Sequence, residues 1–318
     1  MASLVDPMPP DRPPVPVCRR TALLMDTLVT IQVVGAPAAE AGAAAERALG
    51  WFRRVEAACS RFDPASEAMG LTGRAGEPVP VSDLLYEVIA FALAVARASG
   101  GAFDPTIGHI LEQRGFNRNY QTGAVVAAPV DPGARPSWRD VELDPARRTV
   151  TLRRPLVLDL GAVAKGLAVD LAMRELQGFP GASVDAGGDI AVRGHNAAGE
   201  PWCIGVRHPR RPDALLAALR LTGVAICTSG DYERASPRAA GEHHLIDPRH
   251  PGARTTSASA SATVIAPTAM AADALATAAF VLGPRRGLRL LEREGAEGLL
   301  VTPALELVAT AGFRRYLA

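Results

Sequence analysis

The sequence predicts an α+β fold in which mixed or antiparallel sheets pack against helices. Predicted strands come in clusters and do not alternate strictly with helices, which disfavours a doubly wound parallel sheet. No repeat of about 20–50 residues is visible, and no clear linker follows residue 17, so we predict one compact unit over residues 18–318. Apolar residues with helical spacing predict five helices, at 37–59, 83–99, 161–177, 267–282 and 284–294.

The strands are predicted from runs of β-branched and other apolar residues. A glycine pair, Gly187 and Gly188, interrupts one strand and indicates a β-bulge or a close approach of a ligand to the backbone. The last two strands are expected to close the chain as a hairpin. The predicted strands lie at 21–34, 141–143, 149–152, 156–160, 183–193, 202–207, 214–221, 224–228, 261–266, 299–302 and 305–309.

Charge and hydropathy exclude two classes of partner. The formal net charge of +1, from 34 basic and 33 acidic side chains, disfavours nucleic acid, because binding it needs a broad basic surface. No apolar run approaches the roughly 18–20 residues that cross a bilayer, so no transmembrane segment is expected. The first 17 residues lack the pattern of a secretory signal and are predicted as a disordered, Pro-rich arm, which favours a cytoplasmic location.

The signatures of several common site types are missing. The sequence has no P-loop, G-x-S-x-G, H-E-x-x-H or G-x-G-x-x-G, which disfavours Walker ATPases, nucleophile-elbow hydrolases and simple Rossmann dehydrogenases. The four cysteines contain no C-x-x-C pair, so we expect reduced thiols that behave as small buried hydrophobic residues. They are Cys18, Cys59, Cys203 and Cys227.

The segment DLGAVAKG at 159–166 is the first candidate for chemistry. We predict that a strand ends at Asp159 and that a helix begins near Ala162, which leaves backbone N–H groups and a carbonyl available to a ligand. Lys165 is the one lysine in the chain, and its ammonium is placed to reach a phosphate. The alternative interpretation is an ordinary capped helix with a solvated lysine.

Asp273 and Thr277 give a sharper signal. They are four residues apart on one predicted helix, so they share a face that is otherwise rich in alanine. A carboxylate on such a face is costly unless it is paired or bound to a cation. A carboxylate and a hydroxyl are oxygen ligands that suit Mg²⁺, with phosphates completing the octahedron. The alternative is a buried, hydrogen-bonded aspartate.

Three further segments are weaker candidates. The segment TSGDY at 228–232 offers donors suited to phosphate or to an ordinary turn. Two adjacent histidines, His243 and His244, are expected to point to opposite faces of a strand, one catalytic and the other in solvent. Phe103 and Asp104 sit in a loop where the ring could stack on a base and the acid could accept from an exocyclic amine, or where the ring simply fills the core.

Eight segments in this order resemble blocks of the ApbE family, the FAD:protein FMN transferases. The resemblance runs from about residue 23 to the C-terminus, and each block is weak alone. The segments are LMDTLVTIQV, SRFDPASE, SGGAFDPTIG, LDLGAVAKGLAVD, SVDAGGDIAVRG, TSGDYER, HHLIDPRHPG and SATVIAPTAMAADALATAAFVLG.

The resemblance implies a Mg²⁺-dependent enzyme that cleaves FAD, releases AMP and attaches FMN through a phosphoester to Thr or Ser of a flavoprotein, here an unidentified acceptor. Some family members instead hydrolyse FAD to FMN and AMP, and a non-catalytic FAD-binding protein is a further alternative. The implied metal ligands are the main-chain carbonyl of Ala162 with Asp273 and Thr277, and the candidates for the catalytic base are His244 and Asp247. The implied FAD contacts are Met25, Ala102, Phe103, Asp104, Asp159, Lys165 and Ile246.

The chain departs from the family pattern at several positions. Asp26 stands where the family has Gly after Met25, and Ala162 stands where Gly is common. The stretch at 68–71 lacks the usual Arg-Leu-Asn, and 249–252 replaces a Thr-Gly pair. Many members are exported lipoproteins, whereas no lipobox is present here. The chain also lacks the family's target pattern, an Asp followed by Gly-Ala-Thr or Gly-Ala-Ser, so self-modification is not expected.

Overall fold

The structure, a computed structural model, describes residues 15–131, 133–233, 243–250 and 258–318. Positions 1–14 of the predicted N-terminal arm lie outside these residues. The strands are β1 (Val17–Leu24), β2 (Thr27–Val34), β3 (Val79–Pro80), β4 (Val141–Asp144), β5 (Thr149–Leu152), β6 (Gly181–Ala186), β7 (Asp189–Gly194), β8 (Trp202–His208), β9 (Arg211–Leu221), β10 (Val224–Gly230), β11 (Ser261–Ala266), β12 (Glu297–Val301) and β13 (Leu307–Ala309). The helices are α1 (Ala38–Cys59), α2 (Glu67–Thr72), α3 (Asp83–Ala98), α4 (Gly108–Gln113), α5 (Gly161–Glu175) and α6 (Ala269–Arg293), with short 3₁₀ turns at Trp138–Asp140 and Ala311–Tyr316.

The main sheet has eight strands in the order β1-β2-β6-β7-β10-β11-β12-β13. All of its neighbouring strands pair antiparallel. A three-stranded sheet (β3-β5-β4) and a two-stranded ribbon (β8-β9) accompany it. Helices and antiparallel strands therefore segregate into layers, and the predicted α+β class is confirmed.

The core lies on both faces of the main sheet. On one face, α1, α5 and α6 bury an apolar layer against the strands, in which Phe52 and Phe280 are among the largest side chains. On the other face, the β8–β9 ribbon contributes Trp202 and Leu219 to a second cluster that also contains Phe313 near the C-terminus. Strand β11 lies inside the sheet between β10 and β12, and all six of its residues are buried, which shows that both faces of the sheet are covered there.

The predicted strand at 21–34 is in fact a hairpin. Met25 and Asp26 adopt positive φ angles of 52° and 60°, and β1 pairs with β2 directly across this two-residue turn. Two consecutive residues with positive φ are the geometry of a type I′ turn, whose twist matches that of the flanking strands. Met-Asp is not the usual sequence for such a turn, which is why the strand pattern conceals it.

The glycine pair also forms a turn, and the predicted bulge in one strand is wrong. Gly187 and Gly188 have φ angles of 64° and 96° and connect β6 to β7. A Cβ at Gly187 would collide with the side chain of Thr27 on the neighbouring strand. Glycine is therefore needed both for the backbone conformation and for the close approach of the two strands.

Three of the five predicted helices match α1, α3 and α5 closely, and the other two predictions divide a single helix. Ser82 caps α3 by accepting a hydrogen bond from Leu85 N, as its position before the apolar stripe suggests. The two helices predicted at 267–282 and 284–294 form the single helix α6, which is kinked at Gly283 (φ 74°, ψ 175°) before Pro284. The helices α2 and α4, six residues each, were not predicted.

Two other expectations need correction. The apolar run at 156–160 is buried, but it is not a strand, since the described part of the structure gives it no neighbouring ladder. All four cysteines are free thiols as expected, yet Cys203 is exposed on the ribbon, while the other three are buried. Among the described residues, no helix is both long enough and apolar enough to cross a membrane.

Candidate functional site

The turns of the main sheet gather several predicted residues at one end. The register that pairs Val29 with Ala186 places the β1–β2 turn, with Met25, beside the Gly187–Gly188 turn. Ile226 of β10 pairs with Ile190 of β7, so the C-terminal end of β10 lies beside the same turn. The segment Thr228 to Gly230 and the start of β11 therefore lie at this end as well.

Helices α5 and α6 run antiparallel and bring the predicted metal ligands to this end. A Cβ at Gly166 would lie 2.5 Å from the carbonyl oxygen of Ala269, so the two helices touch through their backbones there. Asp273 is one turn after Ala269 on α6, and its Oδ2 lies 3.7 Å from Nζ of Lys165, the residue before Gly166. Ala162 precedes Lys165 by three residues on α5, and Thr277 follows Asp273 by four residues on α6. Because the helices are antiparallel, with about 1.5 Å of rise per residue, their packing puts Ala162 and Thr277 on the same side of the Lys165–Asp273 contact.

The backbone of Ala162 departs from helical geometry. Its φ and ψ angles of −86° and 15° depart from the helical values, and they mark a kink in the first turn of α5. A ψ near zero rotates the following peptide away from the helical ladder. The carbonyl of Ala162 is therefore aimed differently from those of the rest of the helix.

Lys165 lies between two carboxylates. Its ammonium forms a close ion pair with Asp189 as well as its contact with Asp273. Both acids are buried, with 3% and 7% of their surface exposed. Asp189 is a site residue that sequence reasoning missed, although it follows the glycine pair within one of the segments that resemble the family. The cation that stabilises these two buried carboxylates is the single lysine of the chain.

Thr277 is hydrogen-bonded to the predicted phosphate segment. Its hydroxyl lies 3.1 Å from the hydroxyl of Ser229, on β10. The carboxylate of Asp273, the hydroxyl of Thr277 and the carbonyl of Ala162 form a set of hard oxygen donors, and these suit Mg²⁺. Within the described ranges, no group of three or more His, Cys, Asp or Glu side chains is arranged to hold a metal. A site with one carboxylate leaves room for ligands supplied by a phosphate.

Asp159 is held by two partners at the start of α5. One carboxylate oxygen accepts a hydrogen bond from Gly161 N (3.0 Å), and the other accepts from Arg61 Nε (2.5 Å). Arg61 is 6% exposed, which makes this a largely buried ion pair. Sequence reasoning missed Arg61, whose only signal is its position in the segment SRFDPASE.

Asp170 is a second residue that sequence reasoning missed. From α5, its carboxylate accepts hydrogen bonds from the backbone N–H groups of Ala269 (2.7 Å) and Met270 (3.0 Å). Thr268 caps the next N–H, that of Ala271. The orphan donors of the first turn of α6 are therefore satisfied by protein groups, and this anchors α6 to α5.

The predicted triplet at 102–104 lies beneath the start of α5. The carbonyl of Pro105 accepts a hydrogen bond from Asp159 N (2.7 Å). Asp104 accepts hydrogen bonds from Thr106 and from Trp138 N, and burial raises its pKa although these hydrogen bonds oppose the shift. Ala102 and Phe103 are buried, and the ring of Phe103 belongs to the main core. Little of the ring surface is left for stacking on a base.

The segment 243–250 is not a strand in the described residues, so the predicted strand is wrong, although the two histidines do pack on different elements. His243 is buried and packs edge-to-face on Phe280, with ring centroids 5.7 Å apart, one turn beyond Thr277 on α6. His244 packs in the same manner on Phe116, at 6.3 Å. These contacts bring the segment against the metal-ligand candidates of α6.

Ile246 and Asp247 have different surroundings within this segment. Ile246 packs on Ile110 and Leu111 of α4. Asp247 forms a two-pronged ion pair with Arg249, at 2.8 Å on each oxygen. Burial pushes the pKa of Asp247 up, but the hydrogen bonds from Arg249 outweigh it and the pKa lies below its ordinary value.

Contacts link several of the predicted residues near the start of α5. Lys165 and Asp273 meet across α5 and α6, and Asp159 N donates to Pro105 O, next to the 102–104 triplet. Ile246 packs on α4, and the neighbouring segment reaches α6 through His243 and Phe280. Met25 is half-buried at the hairpin turn and packs on the main core.

Comparison with known proteins identifies the family of the chain. The ApbE family model matches residues 25–300. The FAD:protein FMN transferase of Treponema pallidum is 34% identical over 324 residues, which covers 92% of this chain and 86% of that protein. The solved structure of the ApbE protein from Thermotoga maritima has a TM-score of 0.82 at 30% identity and covers 94% of this chain and 99% of that one. The flavin transferase ApbE from Vibrio cholerae has a TM-score of 0.82 at 25% identity, over 96% of this chain and 100% of that one. Similarity over nearly the whole length, in sequence and in fold, shows that the chain belongs to the ApbE family.

Proposed function

We propose that this chain is an FAD:protein FMN transferase. It cleaves the pyrophosphate of FAD, transfers the FMN phosphoryl group to a Thr or Ser hydroxyl of an acceptor flavoprotein, and releases AMP. The observation that carries the proposal is the contact of Lys165 with Asp273 across α5 and α6, with Thr277 one turn further along α6 and hydrogen-bonded to Ser229. Relatives that bear this name match nearly the whole chain, which supports the assignment.

The residues at the helix pair fit a divalent cation. We infer that the carbonyl of Ala162 and the side chains of Asp273 and Thr277 would hold Mg²⁺. Bound there, Mg²⁺ would neutralise charge on the pyrophosphate, which is most of what phosphoryl transfer requires of a protein.

The chain's own residues supply positioning and charge. The ammonium of Lys165 contacts Asp189 and Asp273, and we infer that it also faces phosphate oxygens of bound FAD. The hydroxyl of Ser229 lies against Thr277 and is available as a donor to the same phosphate. Both groups are held before substrate binds, so little reorganisation is needed.

The acceptor hydroxyl needs a base within about 2.6–3.2 Å. His244 and Asp247 both remain candidates from the sequence. Because Arg249 lowers the pKa of Asp247 and occupies both of its oxygens, Asp247 is the weaker base. We therefore favour His244 for proton removal and assign Asp247 and Arg249 to the support of its loop.

The test separates transfer from its alternatives. The chain is incubated with FAD and Mg²⁺, with and without an acceptor that carries Asp followed by Gly-Ala-Thr, and AMP and FMN are quantified by chromatography. Transfer predicts AMP without an equal amount of free FMN, and only with the acceptor. Equal AMP and FMN without acceptor indicates the FAD pyrophosphatase, and intact FAD indicates a binding protein; either outcome contradicts the proposal. The cytoplasmic location remains a prediction.

A further inference from the structure

A buried guanidinium beside the site carries hydrogen-bonding capacity that the fold does not use. Arg61 is 6% exposed and lies over the ring of Phe62, at 4.1 Å from the centroid. Its Nε donates to Asp159. Its two terminal nitrogens make no hydrogen bond with the described residues. A largely buried guanidinium that uses one of its donors is well suited to receive a ligand acceptor.

Glu112, on α4, supplies the complementary group. It is 8% exposed, and one carboxylate oxygen accepts a hydrogen bond from Ala128 N at 3.2 Å. The other oxygen, Oε1, is buried and has no hydrogen-bond partner among the described residues. A buried acceptor without a partner costs free energy, so its presence in a folded chain calls for a physical explanation, such as a bound group that donates to it.

Arg61 and Glu112 are close neighbours of Asp159. Burial is the main cause of the raised pKa of Glu112, and the charge of Arg61 opposes the shift while that of Asp159 adds to it. Helix α4 contacts the segments that carry two expected FAD contacts: Gly108 N donates to Val157 O (3.1 Å), two residues before Asp159, and Leu111 packs on Ile246. Arg61 and Glu112 therefore lie near Asp159, one of the expected FAD contacts.

We propose that Arg61 and Glu112 form a recognition subsite for a heterocyclic edge that carries an N–H donor beside a carbonyl or ring-nitrogen acceptor. This proposal rests on the proposed function, which makes FAD the ligand. Both rings of FAD present such an edge: adenine has an amino group beside ring nitrogens, and the flavin has N3–H between two carbonyls. The pyrophosphate is excluded from this subsite, because two carboxylates, Glu112 and Asp159, would repel it. Phosphate binds instead at Lys165.

The test measures dissociation constants of FAD, AMP and FMN for the wild-type chain and for two variants, Glu112→Gln and Arg61→Lys. Glu292→Gln and Arg286→Lys, which alter exposed residues of α6, are matched controls. We expect both subsite variants to weaken FAD binding by about tenfold or more, because each loses a hydrogen bond that involves a charged group. The binding of either AMP or FMN should weaken by the same factor. Weaker binding of AMP indicates that the subsite binds adenine, and weaker binding of FMN indicates that it binds the flavin ring.

A second measurement uses the wild-type chain alone, so it does not depend on variants that fold. If adenine is read, IMP binds about tenfold more weakly than AMP; if the flavin is read, N3-methyl FMN binds about tenfold more weakly than FMN. Unchanged affinities in both measurements overturn the subsite. Wild-type protein that binds FAD but transfers no FMN overturns the proposed function and leaves the subsite testable, whereas wild-type protein that does not bind FAD overturns both.

Discussion

Lys165 and Asp273 meet across the antiparallel helices α5 and α6, with Nζ 3.7 Å from Oδ2. The same ammonium pairs with Asp189 at the start of β7. One cation therefore links three elements that come from distant parts of the chain. This contact lies on the same antiparallel helix pair that carries Ala162 and Thr277.

Replacing Asp273 with Ala should abolish Mg²⁺-dependent AMP release and leave the fold intact. The substitution removes the one carboxylate from the candidate donor set, and loss of metal-derived charge stabilisation corresponds to at least about a hundredfold in rate. AMP release is measured by chromatography, and Mg²⁺ binding by the shift in melting temperature that the ion produces. Unchanged turnover, or an unchanged Mg²⁺-induced shift, contradicts the metal assignment.

Replacing Lys165 with Met should lower both stability and activity. It leaves Asp189 and Asp273 buried without their shared cation, and removing one partner of a buried pair costs about 3–5 kcal/mol. Lys165→Arg should recover much of the stability but little of the transfer, because a planar guanidinium does not reproduce a compact ammonium. Urea denaturation and AMP release are compared for both variants. A stable, fully active Lys165→Met variant shows that the pair has no role.

Asp170 is expected to act on the site at a distance. Asp170→Ala removes the acceptor for two N–H groups of α6 and should cost about 1–2 kcal/mol, as for loss of a helix cap. Because α6 also carries Asp273 and Thr277, its displacement should weaken Mg²⁺ binding as well. Calorimetric titration with Mg²⁺ distinguishes the two roles. Lower stability with unchanged Mg²⁺ affinity would assign Asp170 to the fold alone.

The pH dependence of stability should report on Asp104. Burial raises its pKa in the folded chain above the value of about 3.9 in an unfolded chain. The folded state then holds this proton more tightly, so the contribution of Asp104 to stability is fully present below the unfolded pKa and is lost as pH rises through the folded pKa. The free energy of unfolding of the wild type, relative to that of Asp104→Asn, should therefore decrease as the pH is raised from about 4 through the folded pKa. Urea titrations across this range test it, and a difference that is constant or grows with pH is contrary to this expectation.

Local patterns predicted the regular elements well. The boundaries of β11 agree with the sequence, and the ends of α3 follow from Ser82 as the N-cap and the glycines after Ser99. The errors have physical causes. An isolated buried run such as 156–160 looks the same whether or not a neighbouring strand exists, and Met25 with Asp26 shows no glycine to mark its turn.

The candidate site was predicted only in part, for a related reason. Asp273 and Thr277 share a helix, so their spacing alone brings them together. Arg61 and Asp189 act through partners 98 and 24 residues away along the chain, at Asp159 and Lys165. Such pairings arise from strand register and helix packing, which a local pattern does not encode.

The transfer itself is tested most directly by intact-protein mass spectrometry of an acceptor incubated with FAD, Mg²⁺ and this chain. We predict that the acceptor gains the mass of FMN less one water, that its modified residue is a Thr or Ser, and that Asp273→Ala produces no such species. An acceptor of unchanged mass, in the presence of a chain that binds FAD and Mg²⁺, would contradict the proposed transfer.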